Sequence, residues 1–321
     1  MKQVTILEND SNQRLDKFLT KSYPNLPKSL LYKAIRKKDI KLNGKRCNES
    51  ARLQTGDILT MYLKDDVFQQ KPDQYDFLKA PDKLDILYQD ENIMVLDKKP
   101  GLIVHPDINY HFDSLIARIH HHLYKSGEYD PHEKQSFTPS LVNRIDRNTG
   151  GIVLAAKNAD SLRILNEKMR LREIRKFYQC IVCGKLSAKS GTLQGYLEKN
   201  QEQNRVYIYS KPGEQRKKII TKYKVLKENS GFSLLEVELL TGRTHQIRAH
   251  FASIGHPLAG DGKYGTNAVN KKIHMHYQAL YSYKLQFDFQ TDAGILNNLN
   301  GMEIESADIW LENQFEKLRL L

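Results

Sequence analysis

The chain is poor in the residues that cross-link or anchor a protein. Its 321 residues include three cysteines, Cys47, Cys180 and Cys183, too few for a disulfide framework and in keeping with a reducing compartment. No uninterrupted apolar stretch approaches the ~20 residues needed to span a bilayer. In the opening MKQVTILEND, acidic residues arrive before any signal-peptide core could form. These absences exclude a disulfide-stapled secreted scaffold and place the chain in the cytoplasm, with no membrane partner. Internal repeats and low-complexity tracts are also lacking.

Metal-ligand spacing is missing as well, although histidine is plentiful. His245 and His250 are five apart rather than the i, i+4 of a zinc-binding helix pair, and His274 and His276, read on one strand face, have no obvious third ligand. Cys180 and Cys183 form a C-x-x-C inside FYQCIVCG, an apolar β-branched run that reads as a strand with buried thiols. GRTHQIRAH lacks the Gly-Lys-Ser/Thr of a phosphate loop, and DGKYG follows no such frame. No metal and no cofactor is expected.

Positive charge is abundant. Lys plus Arg outnumber Asp plus Glu by 50 to 38, the net charge is +12 and the pI is near 9.3, which favours phosphate-rich partners through counterion release. Residues 1 to 75 carry 15 basic and 9 acidic side chains, so half of the surplus lies in less than a quarter of the chain. The length suits two domains, here 1 to 75, with a polar linker from 64 to about 82 that lets the two move, and 83 to 321.

In residues 13 to 63, two short amphipathic helices precede strand-like pieces with turns at Asn43-Gly44 and Thr55-Gly56-Asp57. Beyond the linker come two strands around a turn at 89 to 92, a helix near 114 to 124, a helix over 160 to 172, and then mostly strands from 175 onward. A helix over 246 to 254 interrupts them, and the strand pattern returns in KIHMHYQALYSYKLQFDF. The segment after Gln290 reads as a capping strand and helix. The expected class is α+β, with a mixed, largely antiparallel sheet.

Residues 142 to 156, VNRIDRNTGGIVLAA, are the most informative stretch. Arg144 and Arg147 flank Asp146 and support its charge from both sides, which suits a nucleophile or base. Residue types alone leave open a structural ion pair at a strand–loop corner. NRIDRNTGG resembles the catalytic signature of the large ribosomal-RNA pseudouridine synthase family, HRLDxxTSG, from which Asn143 and Gly150 depart. LDKKPGLIVHP, RKFYQCIVCG and LLTGRTHQIRAHFASIGHPLAGDGKYG resemble further family blocks in the same order, together spanning roughly 84 to 290.

That resemblance implies isomerisation of uridine in RNA, in which the N1–C1′ bond breaks and C5 bonds to C1′ without cofactor. It makes Asp146 the catalytic carboxylate, Tyr178 the aromatic residue that stacks on the base and relays the proton, and Arg248 the cation paired with Asp146. Arg144 is the residue that enters the RNA where the base flips out, and Arg147, Thr149, Arg243, His245 and Gln246 complete the substrate contacts. Residues 13 to 63 resemble the small α/β S4 RNA-binding module, with Lys33, Arg36, Lys37 and Lys38 as phosphate contacts. The implied partner is large-subunit (23S) ribosomal RNA or an assembly intermediate, bound by a monomer. Transfer RNA as substrate, or RNA binding without catalysis, stays open.

Overall fold

The computed structural model describes residues 1–68, 76–107, 112–131, 137–307 and 309–318. Near the N-terminus β1 (Lys2–Thr5), α1 (Leu15–Ser22), α2 (Lys28–Lys37), β2 (Ile40–Leu42), β3 (Lys45–Arg46) and β4 (Ile58–Met61) form one unit. Its antiparallel sheet runs β1-β4-β2-β3. The helices exist because their apolar residues recur at helical spacing: Leu15, Phe18 and Leu19 on α1, and Leu31, Ala34 and Ile35 on α2, are buried against Ile40, Leu59 and Met61. Asn43 and Gly44 both have positive φ, 50° and 73°, the backbone that a two-residue hairpin turn requires. Lys33, Arg36, Lys37 and Lys38 are all exposed along α2 and its end.

The expected linker lies partly outside the described residues. Its last part is not loose: a 3-10 turn at Asp76–Lys79 sets the Phe77 ring 5.8 Å from that of His120 and 5.9 Å from that of Tyr124.

The remaining elements are β5 (Ile86–Gln89), β6 (Ile93–Lys98), α3 (Leu115–Lys125), β7 (Ser140–Leu141), β8 (Gly150–Ala156), α4 (Ala159–Leu171), β9 (Ile174–Cys183), β10 (Ser190–Asn200), β11 (Arg205–Tyr209), β12 (Lys217–Glu228), β13 (Phe232–Leu239), α5 (Gln246–Ser253), α6 (Asn267–Ile273), β14 (Leu280–Phe287), β15 (Glu303–Glu305) and α7 (Trp310–Lys317). One eleven-stranded sheet runs β11-β10-β12-β13-β9-β14-β8-β6-β5, with β15 on β14 and β7 on β8. Among the described residues only β14 and β8 pair in parallel, so the sheet is mixed and largely antiparallel.

Both faces of the central strands are covered, and their sequences show it as continuous apolar runs. On β8, Val153 and Ala155 join a core with Leu115, Ile119 and Leu123 of α3 and Ile247 and Phe251 of α5. Ile152, Leu154 and Ala156 face the opposite way, against Leu165 of α4. On β9, Tyr178, Cys180 and Val182 belong to the first core, while Phe177 and Ile181 meet Leu311 and Phe315 of α7. α7 thus covers one face of the sheet, and β15 extends it by pairing with β14.

Two elements depart from the sequence reading. The sequence marks no separate run for β10, because two glycines and polar residues in SGTLQGYLEKN blur its alternation. The strand pattern starting at Lys272 begins as helix instead: α6 ends at Ile273, His274 takes a left-handed φ of 49°, and the strand starts at Leu280. The alternation of Ile273, Met275 and Tyr277 imitates a strand without being one, and His274 and His276 share no strand face.

Candidate active site

Three segments remote in sequence meet in one ion network. Asp146 lies in the turn leading into β8, where the Thr149 N–H donates to its carbonyl at 3.1 Å. Arg248 sits in the first turn of α5, and Asp261 in the loop that follows that helix. Arg248 donates from Nε and Nη2 to Asp261 at 2.7 and 2.9 Å, and from Nη1 to Asp146 Oδ2 at 2.7 Å. The two-pronged grip fixes the guanidinium plane and leaves one N–H aimed at Asp146. The compact ammonium of a lysine could not serve both carboxylates in this way.

Asp261 is fully buried, and the backbone N–H groups of Lys263 and Tyr264 also donate to its Oδ1, at 2.8 and 3.0 Å. Burial works against both charges. The carboxylates nonetheless raise the Arg248 pKa, and the guanidinium holds Asp261 below the usual carboxylate value. A buried ion set of this kind is sound only when every member is hydrogen-bonded.

His245, left-handed at φ 52° before α5, brings Nε2 to 3.9 Å from Asp146 Oδ2. Its Nδ1 lies 2.9 Å from the Tyr264 hydroxyl, which already accepts the Val206 N–H at 2.9 Å. The Tyr264 proton is therefore free to point at Nδ1, and the remaining imidazole proton faces Asp146 from Nε2. Burial lowers the His245 pKa, so the ring is neutral at pH 7.

Beneath the turn lies Lys98, 1% exposed. Its Nζ donates to the carbonyls of Lys99, Leu102 and Arg147 at 3.0, 2.9 and 3.0 Å. Burial lowers its pKa to about 7, against the pull of Asp146 and Asp97. Three acceptors match the three N–H bonds of an ammonium, so this geometry favours the charged form and ties down the backbone beside Asp146.

Of the residues expected at the site, Asp146, Tyr178, Arg248, Arg144, Thr149, Arg243, His245 and Gln246 all line one cleft of about 490 Å³, of a size that holds small ligands. Arg147 does not line it; its Nε donates to Gly101 O at 3.0 Å. The ion pair of Asp146 comes from Arg248 rather than from the flanking arginines.

Gln246 and Thr149 are buried and hold the walls. The Gln246 carbonyl accepts from Thr241 Oγ1 and Arg243 N at 2.9 and 3.1 Å, and its Nε2 donates to Ile220 O and Thr221 Oγ1 at 3.1 and 3.0 Å. The Thr149 hydroxyl accepts from Gln278 at 3.0 Å. Burial raises the Tyr178 pKa to about 12, and the Asp146 charge adds to the effect, so the phenol keeps its proton at neutral pH. Among the described residues no group of three His, Cys, Asp or Glu could hold a metal ion; His250 is a core residue bonded to Thr221 at 3.0 Å.

Sequence reasoning passed over Lys98, Asp261 and Tyr264. The clue for Asp261 is its place in GDGKYG: an aspartate between glycines caps the following amides. Lys98 carries no such mark, since its burial depends on a turn 49 residues away.

The two departures from the family signature have structural answers. Asn143 accepts the Leu154 N–H at 2.8 Å through its side chain. Gly150 leaves room for Tyr281: a Cβ there would lie 2.6 Å from the ring, whose hydroxyl donates to the buried Asp97 at 2.6 Å.

The RNA pseudouridylate synthase family profile matches residues 92–253, and the S4 domain profile matches residues 13–59. A Mycoplasma genitalium protein described as an uncharacterized RNA pseudouridine synthase is 33% identical over 95% of this chain and 96% of its own length. The ribosomal large subunit pseudouridine synthase C of Vibrio cholerae is 31% identical over 82% and 80% respectively. The solved human RNA pseudouridylate synthase domain containing 4 shares the fold, with a TM-score of 0.57 at 19% identity, covering 73% of this chain and 93% of that one. The chain belongs to the RNA pseudouridylate synthase family, and it carries an S4 domain. It is an RNA pseudouridine synthase, an isomerase.

Two outcomes follow from the packing. Gly150→Ser, which restores the usual family residue, should destabilise the protein by about 1–3 kcal/mol, because Tyr281 is tethered and cannot swing aside. A melting temperature equal to wild type by circular dichroism would show that the ring yields freely. Asp261→Asn should cost about 3–5 kcal/mol at pH 7 by removing one partner of a buried pair. Because the folded-state pKa of Asp261 is depressed, its contribution is present above the unfolded value and lost as pH falls through the folded one. The gap between wild type and variant in denaturant melts should therefore narrow as pH falls below the ordinary aspartate range; a gap of constant size would count against the ion network.

Proposed function

We propose that this protein isomerises specific uridines of 23S ribosomal RNA to pseudouridine, with Asp146 as the reacting carboxylate. The observation that carries this reading is the 2.7 Å pair of Asp146 with a buried, immobilised Arg248 in the same cleft as Tyr178. Arg248 holds the carboxylate in one orientation before substrate arrives, the kind of preorganisation that lowers a barrier.

The reaction breaks N1–C1′, turns the uracil and bonds C5 to C1′, while C5 loses a proton and N1 gains one, so no cofactor enters the balance. Asp146 supplies the carboxylate for addition or proton abstraction. Tyr178 offers a flat face for the base. Since its phenol is protonated up to about pH 12, it takes the C5 proton only by passing its own along, which makes it a relay and not a free base. Arg144, exposed at the rim of the cleft, is placed to fill the gap left by the flipped nucleotide, which costs a few kcal/mol to extrude.

Ribosomal RNA is favoured over transfer RNA by relatives such as the ribosomal large subunit pseudouridine synthase C of Vibrio cholerae, while the exposed Lys33, Arg36, Lys37 and Lys38 of the S4 domain suit structured RNA in general. Those lysines and arginines position structured RNA through its phosphates. The test is carbodiimide and primer-extension mapping of rRNA and tRNA from a deletion strain carrying either wild-type protein or Asp146→Asn. Specific 23S stops should return only with wild type, and purified Asp146→Asn should lose activity by on the order of 10³-fold or more while still binding RNA. Stops restored only in tRNA would move the substrate; stops restored equally by Asp146→Asn would remove Asp146 from the chemistry.

A further inference from the structure

The cleft does not end at the uridine site. A second cavity, of about 520 Å³, shares Met169, Arg170, Lys176, Leu239, Gly242 and Arg243 with it and extends past the end of α4 to Arg172. Five cations line this extension, against the single carboxylate of Glu238. Glu238 is already taken by Arg175 at 2.9 Å and Lys222 at 3.7 Å, and Arg170 pairs with Glu167 at 3.3 Å. Among the described residues Lys176, Arg172 and Arg243 show no ion pair.

Lys176 is the sharpest case. It is half-buried, the only partner of its ammonium among the described residues is the Met169 sulfur at 3.5 Å, and burial lowers its pKa with no carboxylate opposing it. An ammonium without a counter-ion in the wall of a cleft is costly unless a ligand supplies the negative charge. Lys176 stands two residues before Tyr178 on β9, hence on the same face of the strand and roughly 7 Å away along it. A base lying on Tyr178 brings its own sugar-phosphate within reach of that ammonium. Arg172 adds an independent sign. It closes α4 in the left-handed region at φ 65°, where glycine would sit without strain, so its side chain is present despite the backbone.

We propose that this extension is a phosphate channel for the substrate RNA strand: Lys176 binds the phosphate of the nucleotide in the cleft, and Arg243 and Arg172 bind those that follow. The proposal rests on the ribosomal RNA reading above. The phosphate contacts add affinity and register without reading sequence.

The test is equilibrium binding of a 23S stem-loop fragment across a salt series by wild type, Lys176→Met, Arg172→Gly and the double variant, with turnover measured alongside. Neither substitution endangers the fold, since one removes a half-buried charge and the other relieves a left-handed residue; unchanged melting temperatures confirm this. Each single variant should lower the slope of log affinity against log salt by about 0.7–0.9 and the double variant by about 1.5, with binding about tenfold weaker for Lys176→Met at physiological salt. In turnover, KM should rise with kcat nearly unchanged. Slopes equal to wild type in all three variants overturn the channel, as does a loss confined to one RNA sequence. If wild type forms no pseudouridine on the fragment yet the slopes change as expected, the substrate reading fails and the channel stands as an RNA-binding groove.

Discussion

The site depends on one guanidinium held between two carboxylates. Arg248 spends two of its N–H bonds on Asp261 and one on Asp146, and only the planar fork of arginine allows that division. Asp261 is not near the cleft opening; it is fully buried and takes two backbone amides as well. Its effect is to turn a flexible side chain into a fixed donor. The orientation of Asp146 is thus set from the loop after α5, through Arg248, to the turn before β8. Lys98 secures the same turn from below by way of the Arg147 carbonyl.

Bringing those segments together requires the sheet to change direction in its middle. Antiparallel pairing continues on both sides, but β8 and β14 meet in parallel over two residue pairs, Tyr281 with Gly150 and Ser282 with Gly151. Gly151 has a φ of 109°, and a Cβ there would lie 2.1 Å from the Ser282 carbonyl oxygen. The two glycines that close the signature therefore do more than end a turn. They let β8 start against β14, which puts the turn carrying Asp146 next to Tyr178 on β9. The family residue usually found at Gly150 would need the space that the Tyr281 ring fills here, so the glycine and the tyrosine depend on each other.

Much of this was legible from the residues. The apolar runs of β8 and β9, the helices over residues 115–125 and 159–171, and the Asn43-Gly44 hairpin all follow from periodicity and turn chemistry, which act locally. The grouping of Asp146, Tyr178 and Arg248 was legible only through the resemblance of ordered blocks, because no local rule joins residues 102 positions apart. The misreadings have the same origin. Arg147 looked like a partner of Asp146 because it is adjacent in sequence, yet the turn sends it to Gly101. Gln246 and Thr149, expected as substrate contacts, do line the cleft, and their side chains also bond to its walls. The strand pattern from Lys272 failed because a left-handed histidine, invisible to an alternation rule, ends α6.

An isomerisation that exchanges no electrons and transfers no group to another molecule makes a limited demand on the protein. On the proposed mechanism it must hold a carboxylate and an aromatic ring in place and keep the base out of its stack. The arrangement of charge in this chain divides that labour. In the S4 domain the cations are exposed on α2 and its end and have the freedom to meet a polyanion. Beside Asp146 the cation, Arg248, is 7% exposed and hydrogen-bonded on both edges, which suits the preorganised centre proposed above. Lys176 lies between these extremes, half-buried and without a carboxylate. That is the state expected of a group whose counter-charge arrives with the substrate.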